Sequence, residues 1–425
     1  MHHLRRFLPG LIASAALMAV LPSRAADDPD LGALDLKSAA VEPTEATAKP
    51  TRFFVEAALG SATQRYAPGS QSLRRLSLDL FHAQLLAPGW RGVISDRIDY
   101  LRPRDAGSDS TLNSLREAYV SWDGEGSHTV VDIGRINLRL GPGYGYNPTD
   151  FFRDGALRSV TSVNPFALRE NRLGTVALRG QRLWQGGSAG ITFSPKLANS
   201  PSGQSLNLDL GATNHRNRLL LTASQQLSDR VSAQVLLHKE PGLSAQPGAS
   251  LTALLTDAMV AHAEWSYARA PSLADLAWAR KGAKTSGHRL ATGLTTTTAT
   301  KLSFTAELHY NGLALARSAW DSTTNPALLG SYLLEAQRLQ DLAARRAYLF
   351  YATQRDIGLK NLDLTAFVRA NAQDHSRLAW LELRYHWASL DLGLQWQQYS
   401  GSAKSEFGLN PQRRVVQLLA AYRFQ

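Results

Sequence analysis

The sequence predicts an all-β protein, a transmembrane antiparallel β-barrel of about 18 strands, with 16 also possible. Three observations lead to this fold class. Many runs of about ten residues alternate apolar and polar side chains, charged residues occupy the polar face of these runs, and aromatic residues gather near the ends of the apolar face. The 425 residues carry a net charge of +11 and include no cysteine. Packing and hydrogen bonds must therefore hold the fold together without disulfides.

The amino terminus is predicted to be a signal peptide over residues 1–25. It has a basic start, an apolar stretch of about 15 residues and small residues before a cleavage site after Ala25. A stretch of that length falls short of the roughly 20 residues of a spanning helix, which favours export over a retained anchor. Residues 26–50 are poor in aromatics and rich in acidic residues, Pro, Ala and Thr, which predicts a disordered periplasmic leader. We expect the barrel to occupy residues 51–425.

The period of two residues recurs along the whole of this barrel region. In AWLELRYHW, for example, Leu381 and Leu383 lie on one face, and Glu382 and Arg384 lie on the other. The runs GQRLWQGGSAG and RLATGLTTTTAT alternate poorly but have the right length. The predicted strands are 52–61, 73–86, 90–101, 111–123, 128–140, 173–183, 186–195, 205–214, 217–226, 230–238, 257–269, 287–297, 300–310, 343–354, 360–371, 376–387, 389–399 and 413–424.

The length of these strands separates two all-β folds. Strands of a soluble sandwich usually end after about five or six residues, whereas a transmembrane barrel needs about 9 to 11. The carboxyl terminus, VVQLLAAYRFQ, places Val416, Leu418, Ala420, Tyr422 and Phe424 on one apolar face. It resembles the final strand by which Gram-negative outer-membrane proteins are recognised for insertion, although Gln425 follows the aromatic residue.

Most of residues 51–425 thus resembles, in architecture, the porin-like outer-membrane β-barrel proteins of Gram-negative bacteria. The resemblance implies a location in the cell outer membrane and contact with outer-membrane lipid and lipopolysaccharide. It also implies insertion by the outer-membrane machinery through the carboxyl-terminal strand, a possible homotrimer, and a passive channel through the lumen.

The stretch GPGYGYNPTDFF opens an unusually long connection, residues 141–172. It lacks the GxxxxGK[ST] and GxGxxG patterns and a following helix, which argues against a phosphate-binding loop. Long loops in compact domains are usually functional or disordered. We expect this one to fold inward or to cap the pore as a constriction, although an ordinary extracellular loop is the open alternative. The predicted pore-lining or constriction residues are Arg135, Asn137, Arg139, Arg153, Arg158, Arg169, Arg172, Glu382 and Arg384.

Rings of arginine favour anions, so the predicted function is passive diffusion of small, anionic solutes through an Arg-rich lumen. Export or assembly of an anionic exopolysaccharide, or a non-conducting structural role, are the alternatives. Single histidines such as His262, His309 and His386 and the absence of catalytic motifs predict no enzyme activity, no cofactor and no metal. Export argues against a nucleic-acid partner. A second interruption, 311–342, has helical periodicity and predicts a short amphipathic helix.

Overall fold

The computed structural model describes residues 50–103, 109–124, 126–280 and 284–424. The predicted signal peptide, nearly all of the predicted leader and Gln425 lie outside the described residues. The described part contains 18 strands in one sheet. They are β1 Thr51–Gln64, β2 Ser70–Ala87, β3 Trp90–Arg102, β4 Thr111–Gly124, β5 Thr129–Ile136, β6 Thr175–Trp184, β7 Gly187–Ser194, β8 Arg218–Ser228, β9 Val231–Lys239, β10 Gln246–Thr256, β11 Met259–Ala270, β12 Thr285–Thr297, β13 Leu302–Asn311, β14 Arg346–Gln354, β15 Leu362–Asn371, β16 Arg377–His386, β17 Leu390–Ser400 and β18 Gln412–Phe424.

The sheet closes into a barrel. Every strand pairs antiparallel with its neighbours in the chain, and β1 pairs with both β2 and β18. The closing register sets Phe53 opposite Phe424 and Leu59 opposite Leu418. Closure leaves no free edge, so all strands satisfy their backbone hydrogen bonds within the sheet. The predicted fold, a closed antiparallel barrel of 18 strands, is confirmed.

The two faces of the wall have opposite character. On β18, Leu418 and Phe424 are exposed, whereas Leu419 and Ala421, on the inner face, are buried. On β11, His262 and Glu264 are buried inside the barrel. Large apolar side chains exposed on the outward face of strand after strand require a lipid environment. The barrel is therefore a transmembrane protein of the outer-membrane type.

The connections differ in length between the two ends of the barrel. Turns such as 185–186, 229–230 and 257–258 join strands at one end, and long segments such as 137–174 and 312–345 join them at the other. In barrels of this type the long loops are extracellular, so we call these the periplasmic and extracellular ends. The loops carry five described helices, α1 Pro165–Glu170, α2 Leu210–Thr213, α3 Leu273–Ala277, α4 Arg317–Ser322 and α5 Pro326–Arg338.

Helix α5 confirms the helix predicted within 311–342. It begins after Asn325, whose side chain accepts a hydrogen bond from the Ala327 N–H, and its own residue Tyr332 is fully buried. Among the described residues, no helix combines the length and the hydropathy that are needed to cross a bilayer.

One predicted strand was wrong and one strand of the structure was not predicted, so the two errors cancel in the count. Residues 205–214 alternate Leu206, Leu208 and Leu210, but Leu206 and Asp209 have φ values of 55° and 49°, which extended backbone does not allow. Conversely, strand β10 was not predicted, and it contains Pro247 and Gly248, two residue types that are uncommon within strands. Pro247 stands close to the start of β10, opposite Leu237, where a missing N–H disturbs the ladder least.

Candidate functional site

The segment 137–174, here called the inward loop, enters the barrel. The Gly143 N–H donates to Oε1 of Glu264 on β11 over 2.6 Å. The N–H groups of Tyr144 and Gly145 donate to the two carboxylate oxygens of Glu307 on β13 over 2.6 and 2.8 Å. The loop leaves the wall at β5, eight strands from β13 in a ring of 18. It therefore crosses the lumen and is fixed to the opposite wall.

Glycine allows this close approach. Gly141 has φ +86°, and a Cβ built there would lie 2.2 Å from Oε2 of Glu264. The same carboxylate accepts hydrogen bonds from the Thr149 hydroxyl over 2.8 Å and from the Asn147 amide over 3.1 Å. Backbone N–H groups of the GPGYGYN stretch thus bind carboxylates of the protein itself, in the way that a phosphate-binding loop binds a ligand.

Two histidines complete the attachment at β13. His262 Nε2 lies 2.9 Å from Oε1 of Glu307, and His309 Nε2 lies 2.8 Å from Oε2. In the sequence these histidines occur singly, as separate polar wall residues, but the fold joins them on one buried carboxylate. Both carboxylate oxygens are already bound, and the part of the chain that the structure describes holds no group of three or more His, Asp or Glu arranged for a metal ion. The arrangement fits a structural attachment.

The inward loop is also joined to the 312–345 loop. The Tyr146 hydroxyl donates to Asp341 over 2.5 Å, and Arg153 and Arg289 each approach the same carboxylate to 3.2 Å. Burial raises the pKa of Tyr146 far above its usual range. Burial alone would also raise the pKa of Asp341, but Arg289 and Arg153 hold it below its usual value. Asp341 is therefore ionised and Tyr146 protonated at neutral pH, as the hydrogen bond requires.

Aromatic packing supports the inward loop from the wall side. Tyr351, Phe367 and Trp380 occupy paired positions on β14, β15 and β16 and stack at centroid distances of 6.4 and 5.4 Å. Tyr144 and Phe166 of the loop contact the Tyr351 ring edge-on at 5.7 and 5.3 Å. This half of the lumen contains an apolar core.

The predicted arginines of the inward loop bind the protein itself. Arg172 is buried and donates to Asp150 over 2.7 Å and to the Leu138 carbonyl. Arg169 donates to the carbonyls of Leu140, Gly141 and Gly143, and burial lowers its pKa to about 10. Arg158 donates to the carbonyls of Gln204 and Asn207, and Arg153 to those of Asn147 and Leu339.

The expected row of Arg135, Asn137 and Arg139 differs from the structure. Strand β5 ends at Ile136, so Asn137 and Arg139 are not part of the strand. Ile136 and Leu138 face inward and pack with Phe152. Arg135 instead pairs beside Ala118 and Val176 and donates to the Leu208 carbonyl over 2.7 Å. The sequence prediction placed the polar row of this strand in the lumen. In the structure the apolar row faces inward instead, because it packs against apolar residues of the inward loop.

Arginines that face the water of the lumen lie mainly on the wall. Arg384 binds Glu382 on the same strand over 2.8 Å, so the fold brings these two predicted residues together. The Arg384 side chain is 24% exposed and that of Glu382 only 11%. In three other arginine–carboxylate pairs the arginine side chain is also more exposed than its partner. The exposures are 30% for Arg179 and 7% for Asp132, 30% for Arg369 and 10% for Glu406, and 49% for Arg423 and 1% for Asp391.

These wall arginines were missed as site residues. Strict alternation places Arg179, Arg369 and Arg423 on the polar faces of β6, β15 and β18, so the period of two could have identified them. Arg216 and Arg338, which both bind Asp154 near the extracellular end, lie outside the strands and gave no such signal.

Comparison with known proteins identifies the fold. No family model matches the chain, and no curated protein is similar to it in sequence. Among solved structures, OccAB1 of Acinetobacter baumannii aligns with a TM-score of 0.57 and 11% identity over 88% of this chain and 96% of its own. OpdL of Pseudomonas aeruginosa aligns at 0.54 and 12%, and OccK10 (OpdN) of the same species at 0.53 and 12%. This chain has the porin-like outer-membrane β-barrel fold.

Proposed function

We propose that this barrel is a passive outer-membrane channel for small solutes and that it prefers anions. The observation that carries the proposal is the unequal exposure within the arginine–carboxylate pairs of the wall. In each pair the carboxylate is buried against the wall and the guanidinium extends toward the lumen. A passing solute therefore meets a basic surface, although much of the charge is paired.

The chemistry of arginine supports this preference. Its planar guanidinium presents several N–H donors, which suits carboxylate and phosphate groups, and arginines that line a pore favour anions. A donor that already binds one carboxylate retains others for the solute. Exposed guanidinium groups on β6, β15, β16 and β18 give the solute successive contacts along the wall.

The inward loop supports small solutes over a polymer. It crosses the lumen and is fixed by Glu264 and Glu307 on one side and by Asp341 of the 312–345 loop above. A polysaccharide chain would need a wide, continuous bore, and this loop narrows it. The alternative of polymer export requires the loop to leave the lumen.

Planar-bilayer recording of the purified protein tests the proposal. The reversal potential in a salt gradient should indicate anion selectivity, and the triple variant R179S/R369S/R384S should move it toward the cation side. The matched control is Arg377→Ser, on the same strand as Arg384 but exposed on the outward face. It should leave the reversal potential unchanged.

If correctly folded protein shows no conductance, the proposal that the barrel is a passive channel is refuted. Cation selectivity, or an equal shift in the Arg377→Ser control, would overturn the anion preference alone.

A further inference from the structure

A group of charged and titratable side chains lies on β15 to β18 at the periplasmic mouth of the lumen. This group, here called the mouth cluster, consists of Asp363, Arg384, His386, Asp391 and Arg423. The register pairs Asp363 with Arg384 and His386 with Asp391, and paired residues share one face of the sheet. Since Arg384 extends into the lumen, the cluster lines the lumen at this end.

His386 lies between two carboxylates of the mouth cluster. Its Nδ1 is 2.9 Å from Oδ1 of Asp391, and its Nε2 is 3.4 Å from Oδ2 of Asp363. A neutral imidazole has one N–H and one lone pair, so it can donate to only one of these carboxylates. Both contacts are favourable only when both ring nitrogens carry a proton. The arrangement is therefore that of an imidazolium ion between two carboxylates.

The two carboxylates differ in exposure and in partners. The Asp391 side chain is 1% exposed, binds Arg423, and has Arg384 at 3.9 Å. The Asp363 side chain is 32% exposed, and its Oδ1 accepts a hydrogen bond from the Asp356 N–H over 3.1 Å. Because the contact to Asp391 is the shorter one, a single remaining proton should stay on Nδ1. The Nε2 lone pair would then face Asp363, and this carboxylate would turn toward the water of the lumen.

Charged residues on the elements around the mouth cluster have partners of their own. They are Glu382, bound to Arg384, Glu56 of β1, bound to Arg75, and Asp356 of the β14–β15 turn, bound to Lys301 and attracted by Lys360. If Glu382 is counted with the cluster, two arginines and a protonated His386 balance three carboxylates. Loss of the proton from His386 leaves one carboxylate in excess. One proton therefore decides whether this part of the mouth is neutral or negative.

We propose that His386 and Asp363 determine the ion selectivity of the periplasmic mouth in a proton-dependent way, an inference that rests on the proposed channel function. When His386 is protonated, it neutralises Asp363, and a passing anion meets the exposed guanidinium groups of Arg384 and Arg423. When His386 loses its proton, Asp363 adds a negative charge at the mouth and the preference for anions falls. Histidine ordinarily titrates between about pH 5 and 8, so the change in selectivity belongs to that range.

The test is the reversal potential of the purified protein in a salt gradient across a bilayer of zwitterionic lipid, at about pH 5.5 and about pH 8. The anion-to-cation permeability ratio of the wild type should fall roughly threefold from the lower to the higher pH, as expected for one unit charge a few ångströms from the path of an ion. His386→Gln, which cannot be protonated, should keep the lower ratio at both pH values. Asp363→Asn should have a higher ratio than the wild type at the higher pH.

The matched control is His128→Asn in the β4–β5 turn at the same end of the barrel. His128 is exposed and has a φ of 52°, which asparagine accepts. This variant should respond to pH as the wild type does. Nitrogen NMR of histidine-labelled protein in detergent examines the proton itself, with the His386 signal assigned by its loss in His386→Gln. His386 should carry protons on both nitrogens at the lower pH and only on Nδ1 at the higher pH.

The outcomes separate this inference from the proposed function. An anion-selective wild type whose selectivity ignores pH overturns the inference and leaves the channel intact. A pH response that persists in His386→Gln, or a proton on Nε2 at the higher pH, overturns it as well. A cation-selective channel that keeps the His386-dependent shift would refute the general anion preference and support the inference, whereas a folded barrel without conductance would refute both.

Discussion

The arginines of the inward loop and those of the barrel wall are placed in opposite ways. In the loop, Arg169 and Arg172 donate to backbone carbonyls, and Arg172 is buried. On the wall, Arg369 and Arg384 extend into the lumen while their carboxylate partners are buried. The backbone carbonyls of a loop form no β-ladder hydrogen bonds, so they need other donors, and the arginine side chains supply these donors. In a strand the backbone carbonyls already accept hydrogen bonds from the neighbouring strands, so the guanidinium of a wall arginine remains available to a solute.

The carboxylates of the barrel also fall into two groups, those that hold the inward loop and those that bind side chains of the wall. Glu264 and Glu307 accept backbone N–H groups of the inward loop, whereas Glu382 accepts only from wall side chains. Loss of a carboxylate should release the loop in the first case and change only the local charge in the second. Four substitutions test these differences between the inward loop and the wall, from the largest expected effect to the smallest.

Glu307→Ala should release the inward loop. It leaves two loop N–H groups and the side chains of His262 and His309 without their acceptor, at a cost of about 3 to 5 kcal/mol. Trypsin should then cleave the folded barrel at Arg153 or Arg158, and the single-channel conductance should rise. Glu382→Ala is the control and should leave the loop resistant. Equal resistance of the two variants would mean that Glu307 does not hold the loop.

Arg172→Met should destabilise the loop by about 3 kcal/mol, because Asp150 is left buried and unpaired. Its effect on the reversal potential should be negligible, since the Arg172 side chain is only 2% exposed. Denaturant-dependent protease resistance measures the first effect and bilayer recording the second. A shift in selectivity equal to that of a wall variant would break the distinction between the two sets of arginines.

Gly141→Ala tests the close approach of the loop to Glu264. Alanine at φ +86° costs about 1 to 2 kcal/mol, and its Cβ would overlap the Glu264 carboxylate, so the total should reach about 2 to 4 kcal/mol. Gly242→Ala is a matched control with φ +80° and no atom within 4 Å of the added Cβ. The same protease assay should detect the difference. Equal losses would assign the whole effect to backbone conformation.

The sequence predicted the wall better than the loop, for a physical reason. A period of two assigns each strand residue to a face, so the outward row of β18 and the inward Glu382 and Arg384 followed directly. The attachment of the loop joins Gly143 to Glu264 across 121 residues and Tyr144 to Glu307 across 163. Its donors are backbone N–H groups, which no residue type signals. The length and glycine content of the loop predicted that it differs from an ordinary connection, but they did not predict the contacts that hold it.

Arg369→Ser should have the smallest effect on stability and still change function. Arg369 is 30% exposed, its nearest Glu406 oxygen lies 4.0 Å away, and the buried Glu406 carboxylate keeps a hydrogen bond from the Asn371 amide over 2.9 Å, so the loss should be about 0 to 1 kcal/mol. Thermal unfolding should therefore be nearly unchanged, whereas the reversal potential should move measurably toward zero. Arg377→Ser, on the outward face, should change neither quantity. If Arg369→Ser instead lowered stability as much as Arg172→Met and left selectivity intact, the wall arginines would be structural as well, and the contrast between the two regions would disappear.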